Sequence, residues 1–187
     1  MRIITGRARG VSLYTLAGDN TRPTSERAKE AVFSMLQFEI EGRRVLDLFA
    51  GSGQMGLEAV SRGAAFAVLV DRSKEAVGVI EKNVAKTKLQ ENCRVISSDS
   101  LDYLKKQKDL FDMVWLDPPY DSGLLKASLR LLLDGGFLKP TSTLICESRE
   151  EDIFAGDEEL RARFSVLRHA KYGIAHVTLL KPNLELL

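Results

Sequence analysis

The chain has 187 residues, 44% of them apolar and 28% charged, with a formal net charge of +1. Such a chain is one domain that can bury about 70% of its unfolded surface, so it needs neither disulfide nor metal to fold. Disorder is excluded as the main state, no apolar run approaches the roughly 18 residues of a bilayer crossing, and residues 1–6 hold no secretory apolar region, so a cytoplasmic location is expected.

The front end is basic. Residues 1–30 carry six basic and three acidic side chains, whereas the rest carries 21 and 23. A near-neutral body with a basic front would meet nucleic acid through one face. Residues 2–5 and 11–14 flank Gly6-Arg7-Ala8-Arg9-Gly10, which predicts a β-hairpin with a basic tip. Arg22-Pro23-Thr24-Ser25 follows. Thr24 is a candidate helix N-cap, since Ala28, Ala31, Val32 and Met35 recur at helical spacing behind it.

Residues 44–49 read as a buried strand running into Ala50-Gly51-Ser52-Gly53-Gln54-Met55-Gly56 and a helix. Gly51, Gly53 and Gly56 fit G-x-G-x-x-G, the pattern that lets a backbone turn sharply and approach a nucleoside ligand. The pattern alone does not separate a dinucleotide from other nucleosides. Asp47, on the strand itself, can accept from a cationic amino group, which S-adenosylmethionine has and a nicotinamide cofactor lacks. The next strand, 66–70, leads to Asp71, twenty residues beyond Gly51, where ribose hydroxyls would be held. Ser73 can cap a helix whose stripe is Val77, Ile80 and Val84. The third strand, 94–97, leads to Asp99, which could accept from an adenine amine, and Ser100 can cap a short helix. Taken singly, Asp47 also reads as a strand-end acid bonded to amides, Asp71 as a helix cap and Asp99 as a turn.

The fourth strand, 113–116, ends in Asp117-Pro118-Pro119-Tyr120. Two prolines stiffen the backbone and remove its N–H donors, and Asp117 before a proline is held extended. The segment therefore presents acceptors, the Asp117 carboxylate and the Pro118 carbonyl, beside an aromatic ring. That set suits an exocyclic amine on a planar base. A helix over 124–133, stopped by Gly135-Gly136, and a strand over 144–147 follow. Residues 164–170 and 174–180, joined by Lys171-Tyr172-Gly173, predict an antiparallel hairpin after the acidic stretch 150–159. The alternation of strands and helices indicates a doubly wound, Rossmann-like α/β sheet. Cys93 and Cys146, far apart in strand-like contexts, read as buried free thiols. His169 and His176 stand alone and no metal-ligand motif occurs, so no metal is expected.

Asp47–Gly53 followed by Asp117–Tyr120 resembles the class I S-adenosylmethionine-dependent amino methyltransferases with an (N/D/S)-P-P-(Y/F/W) motif. Residues 2–10, the run Arg22-Pro23-Thr24-Ser25-Glu26-Arg27 and Leu57-Glu58-Ala59-Val60-Ser61-Arg62-Gly63-Ala64 extend the resemblance to the RsmD family, over nearly the whole chain. That family methylates the N2 amine of a guanine in bacterial 16S ribosomal RNA, by direct transfer and without a metal. The resemblance implies a seven-stranded sheet, with residues 1–36 as an RNA-binding extension and 37–187 as the catalytic core. It implies that Asp47, Gly51 and Gly53 surround the methionine part of the donor, with Phe49 also on the cofactor side. Asp71 would hold the ribose, with Arg72 beside it, and Asp99 and Ser100 would face the adenine. Asp117 and Pro118 would grip the amine, with Pro119 stiffening the turn and Tyr120 stacking on the base. Arg2, Arg7, Arg9, Arg22 and Thr24 would meet the RNA of the small ribosomal subunit. A monomer is expected. Gln54-Met55 departs from the family's usual small or aliphatic pair, at a position read as packing the helix.

Two other activities share parts of these motifs. D-P-P-Y also serves DNA or RNA adenine-N6 methylation, although the chain leaves little room for a target-recognition region. G-x-G-x-x-G permits a nicotinamide oxidoreductase, which would leave Asp117–Tyr120 unexplained. A non-catalytic RNA-binding factor that retains the cofactor is a third reading, against which the complete tetrapeptide speaks.

Overall fold

The computed structural model describes residues 1–16 and 23–184. Seven strands form one sheet: β1 (Arg44–Asp47), β2 (Phe66–Asp71), β3 (Cys93–Ser97), β4 (Phe111–Leu116), β5 (Leu138–Ser148), β6 (Phe164–Tyr172) and β7 (Ala175–Pro182). Their order is β3-β2-β1-β4-β5-β7-β6. Neighbours from β3 to β5 are parallel, and β7 is antiparallel to both β5 and β6. This is the expected doubly wound sheet with its antiparallel C-terminal hairpin.

The helices are α1 (Pro23–Met35), α2 (Gln54–Ser61), α3 (Lys74–Thr87), α4 (Ser100–Lys106), α5 (Leu124–Asp134) and α6 (Glu158–Ala162). Strand residues alternate between two apolar layers, because side chains point to opposite faces with a period of two. Val45, Leu69, Met113, Trp115 and Ile145 pack with α1, α2 and α3. Leu46, Val68, Val70, Val114, Leu116 and Leu144 pack with α4, α5 and α6. Both faces are covered, which is why the central strands carry apolar residues on both faces.

Several boundaries differ from the sequence reading. Helix α1 begins at Pro23, so Thr24 lies inside its first turn and is not its cap. Proline suits the first helical position, where its missing N–H has no partner to lose. Asp99, not Ser100, caps α4: its carboxylate accepts from the N–H groups of Leu101 and Asp102. Strand β5 starts six residues earlier than expected, through the polar run Lys139-Pro140-Thr141-Ser142, where Ser142 Oγ donates to the Phe111 carbonyl at 2.7 Å. Helix α6 was concealed in the acidic stretch, and Asp157 caps it. The front hairpin carries the bridge Arg2 to Ser12, flanked by cross-strand bonds from Ile3 N–H to the Val11 carbonyl at 3.0 Å, Gly10 N–H to the Ile3 carbonyl at 2.9 Å and Leu13 N–H to the Met1 carbonyl at 3.1 Å. Ser73 caps α3 as expected, accepting from Ala76 N–H at 3.3 Å. Cys146 is a buried free thiol, and Cys93 is free and half-buried. No helix among the described residues is long and apolar enough to cross a membrane.

Candidate active site

The chain leaves β1 to build β2 and β3 on one side, then returns to build β4 and β5 on the other. The carboxyl ends of β1 and β4 therefore flank the point where the winding reverses, the place where such sheets bind ligands. Asp47 ends β1 and Asp117 follows β4, with Asp47 paired to Trp115 in register.

A cavity of about 560 Å³ opens there, lined by Asp47, Phe49, Gly51, Gln54, Asp117 and Tyr120 among others. A smaller one of about 160 Å³ adjoins it, lined by Phe49, Asp71, Arg72, Asp99, Ser100 and Asp117. The two share Phe49, Asp117 and Pro119, so together they form a trough along the strand ends. The larger lies in the size range of small-molecule sites.

Asp47 is 2% exposed, and its Oδ2 accepts from Gly56 N–H at 3.0 Å. Burial pushes its carboxyl up to about 7, against the pull of the Gly56 N–H and of the Lys29 ammonium. A carboxyl so starved of solvent favours a cation in the cavity beside it. Gly51 has φ of +55° and donates its N–H to Asp71 Oδ2 at 2.9 Å. A Cβ at Gly51, which lines the larger cavity, would meet no protein atom within 4 Å. Asp71 Oδ1 accepts from Ser73 N–H at 2.8 Å, so this acid fixes the glycine turn and the start of α3 as well as lining the trough. Gly53 is not among the residues lining either cavity: a Cβ on it would press on Leu69 and Ile80 at 3.1–3.2 Å, so it serves packing. Asp99 likewise both caps α4 and lines the smaller cavity.

Asp117 to Tyr120 form one wall of the larger cavity. The Tyr120 hydroxyl donates to Glu147 Oε1 at 3.0 Å, and the Arg149 guanidinium lies 4.8 Å from its ring centroid. Burial and the Glu147 carboxylate hold the phenol well above its ordinary value, so it stays a donor. Motif reading missed Glu147, Lys29, Arg149 and Tyr172, all of which line the same cavity. Glu147 had the signal that Asp47 had, an acid at the end of a buried strand. Gln54 and Met55 also line it: Met55 packs in the apolar layer as expected, whereas Gln54 adds a polar contact, its Oε1 accepting from Lys29 Nζ at 3.2 Å.

Met1 lines the cavity too, and the basic hairpin continues from it. Arg2, Arg7 and Arg9 are exposed, and Arg7 Nη2 donates to Asn92 Oδ1 at 2.6 Å. Arg22 and the side chain of Thr24 lie outside the described residues.

The family profile described as Conserved hypothetical protein 95 matches residues 1–181. The chain belongs to this family, the RsmD family. Ribosomal RNA small subunit methyltransferase D of Escherichia coli is 37% identical over 152 residues, covering 81% of this chain and 76% of that protein. YlbH of Bacillus subtilis is 35% identical over 185 residues, covering 97% and 98%. The solved structure of yhhF from Escherichia coli superposes with a TM-score of 0.85 at 34% identity, covering 97% of each chain. The family's sheet and C-terminal hairpin are those described above.

Proposed function

We propose that this protein transfers a methyl group from S-adenosylmethionine to the N2 amine of a guanine in 16S ribosomal RNA of the small subunit. The observation that carries the reading is the placement of Asp117-Pro118-Pro119-Tyr120 across the winding reversal from the buried Asp47 carboxyl. A cation-seeking acid and an amine-gripping turn then face one trough. The relative named as a ribosomal RNA small subunit methyltransferase supports the choice of RNA.

The residues present fit the donor. Asp47 would take its amino group, the open side of Gly51 and Phe49 would take its body, and Asp71, Asp99 and Ser100 would take the ribose and adenine. When bound, the donor supplies a methyl on a positively charged sulfur, already a strong electrophile. The protein's task is therefore orientation and electrostatics. Asp117 and the Pro118 carbonyl accept the two amine hydrogens, which turns the nitrogen lone pair out of the ring plane. Asp117 can take the proton that the nitrogen sheds after it gains the methyl. Tyr120 offers a face for the base, which leaves its own stack to reach the trough, a small cost in an RNA loop. Arg2, Arg7 and Arg9 would meet phosphates, so that residues 1–36 act as the RNA-binding extension of a catalytic core spanning 37–187.

Substituting Asp117→Ala tests this division of labour. Transfer to small subunits should fall on the order of 10²- to 10³-fold, the loss typical of a transition-state hydrogen-bond partner. Calorimetry should find the donor's Kd within about threefold of wild type, because Asp47 and Asp71 hold the donor and one lost contact is worth little. Equal loss of transfer and donor binding would contradict the role.

A further inference from the structure

Glu147 has no part in the gripping of the amine, yet it stands beside it. Strands β4 and β5 are parallel with Leu116 opposite Cys146, so the next residues, Asp117 and Glu147, are neighbours. Glu147 follows Ile145 by two and so shares the sheet face that packs under α1 and α2. Both acids line the larger cavity. The Tyr120 hydroxyl engages Oε1. A carboxylate offers about four lone-pair sites on two oxygens, so one phenol leaves Glu147 able to accept again.

The Watson–Crick edge of guanine carries an N1–H next to its N2 amine, whereas adenine carries an acceptor nitrogen next to its N6 amine. A carboxylate beside an amine-gripping turn attracts the first edge and repels the second. We infer that Glu147 is a specificity-determining residue that accepts from the N1–H of the target guanine and so rejects bases with an acceptor there. This rests on the guanine-N2 reading above. It assigns to Glu147 a distinction that Asp117-Pro118-Pro119-Tyr120 does not make, because that turn suits any exocyclic amine.

The test compares two acceptors in reconstituted small subunits: guanine, and 2-aminopurine at the same RNA position. 2-Aminopurine keeps the amine at C2 but has an acceptor at N1. Wild type should prefer guanine in kcat/KM by roughly 10- to 100-fold, the worth of one hydrogen bond to a charged group. E147Q, whose amide can donate, should narrow that preference to about threefold or less. Y120F removes the hydroxyl but not the carboxylate and should leave the preference above tenfold, which separates edge reading from mere support of Tyr120. An unchanged preference in E147Q, or an equal collapse in Y120F, overturns the inference while transfer to guanine upholds the proposed function. No transfer to guanine by wild type overturns both.

Discussion

At the scale of single residues, Asp47 is the most informative. Its carboxyl titrates near 7 in the fold because burial penalises the charge, against an ordinary value of 3.8. The unfolded chain thus ionises this group first. As pH rises from about 4 to about 7 the folded state holds a proton that the unfolded state has lost, and the group's contribution to stability declines. A donor amino cation seated beside Asp47 as proposed would reverse that preference, since a positive charge beside the carboxyl favours ionisation. Donor affinity should therefore rise roughly tenfold between about pH 5.5 and about pH 7, with proton release on binding. Calorimetry in buffers of different ionisation enthalpy would measure both. An Asp47→Asn variant should bind weakly with a flat pH profile, and a persistent slope would assign the titration to another group. Asp47, Asp71 and Asp99 were legible as site candidates because each stands at or just beyond the end of a strand, next to a turn. Two of them double as caps or turn anchors, so the site and the local fold share the same atoms. Lys29 and Gln54 were not legible, since their contact spans 25 residues of sequence and depends on where α1 lies over α2.

Among the elements, the N-terminal segment is held by α2 as well as by its own cross-strand bonds. Glu58 is 1% exposed and accepts from Ile4 N–H at 2.7 Å, Thr5 N–H at 3.1 Å and Arg62 Nε at 2.6 Å. Ser61 adds its carbonyl to Arg7 N–H at 2.9 Å and its hydroxyl oxygen to Ala8 N–H at 3.0 Å. Arg62 then lies 4.8 Å from the Phe33 ring centroid, and Phe33 stacks on Trp115 of β4 at 5.1 Å. The basic tip is thus tied through α2 to the wall that carries Asp117. Gly6 makes the tie possible: it has φ of +85°, and a Cβ there would fall 1.7 Å from the Ser61 carbonyl oxygen. Gly6→Ala should cost roughly 2–4 kcal/mol through clash and backbone strain. Urea unfolding should show that loss, and amide exchange over residues 3–13 should accelerate. Unchanged exchange there would mean that the segment docks by other contacts. The sequence pattern marked a hairpin here, but the buried Glu58 that secures it reads on a helical pattern as an ordinary surface acid. Strand β5 was underestimated for a similar reason. After Leu138 its next residues are polar and include a proline, and their place beside β4 shows only in contacts distant in sequence: Phe111 lies opposite Leu138, Phe111 N–H donates to the Phe137 carbonyl at 3.0 Å and Ser142 Oγ donates to the Phe111 carbonyl at 2.7 Å.

For the whole molecule, the apolar runs alone pointed to a sheet covered on both faces, and the two packed layers are its outcome. Strand order is not a local property. Nothing in β1 or β4 states that they lie side by side; the order follows from where the chain reverses its winding. That reversal brings residues 70 positions apart, Asp47 and Asp117, to the same trough. In the proposed reaction, this trough joins a sulfonium methyl donor to the N2 amine of guanine. The most direct measurement uses labelled S-adenosylmethionine and small subunits from a strain that lacks its own enzyme for this site. The ribosomal RNA is then digested and the labelled nucleoside identified. The proposed reaction predicts label in N2-methylguanosine, lost in the Asp117→Ala variant. Label in N6-methyladenosine, or none from a protein that binds the donor, would contradict it.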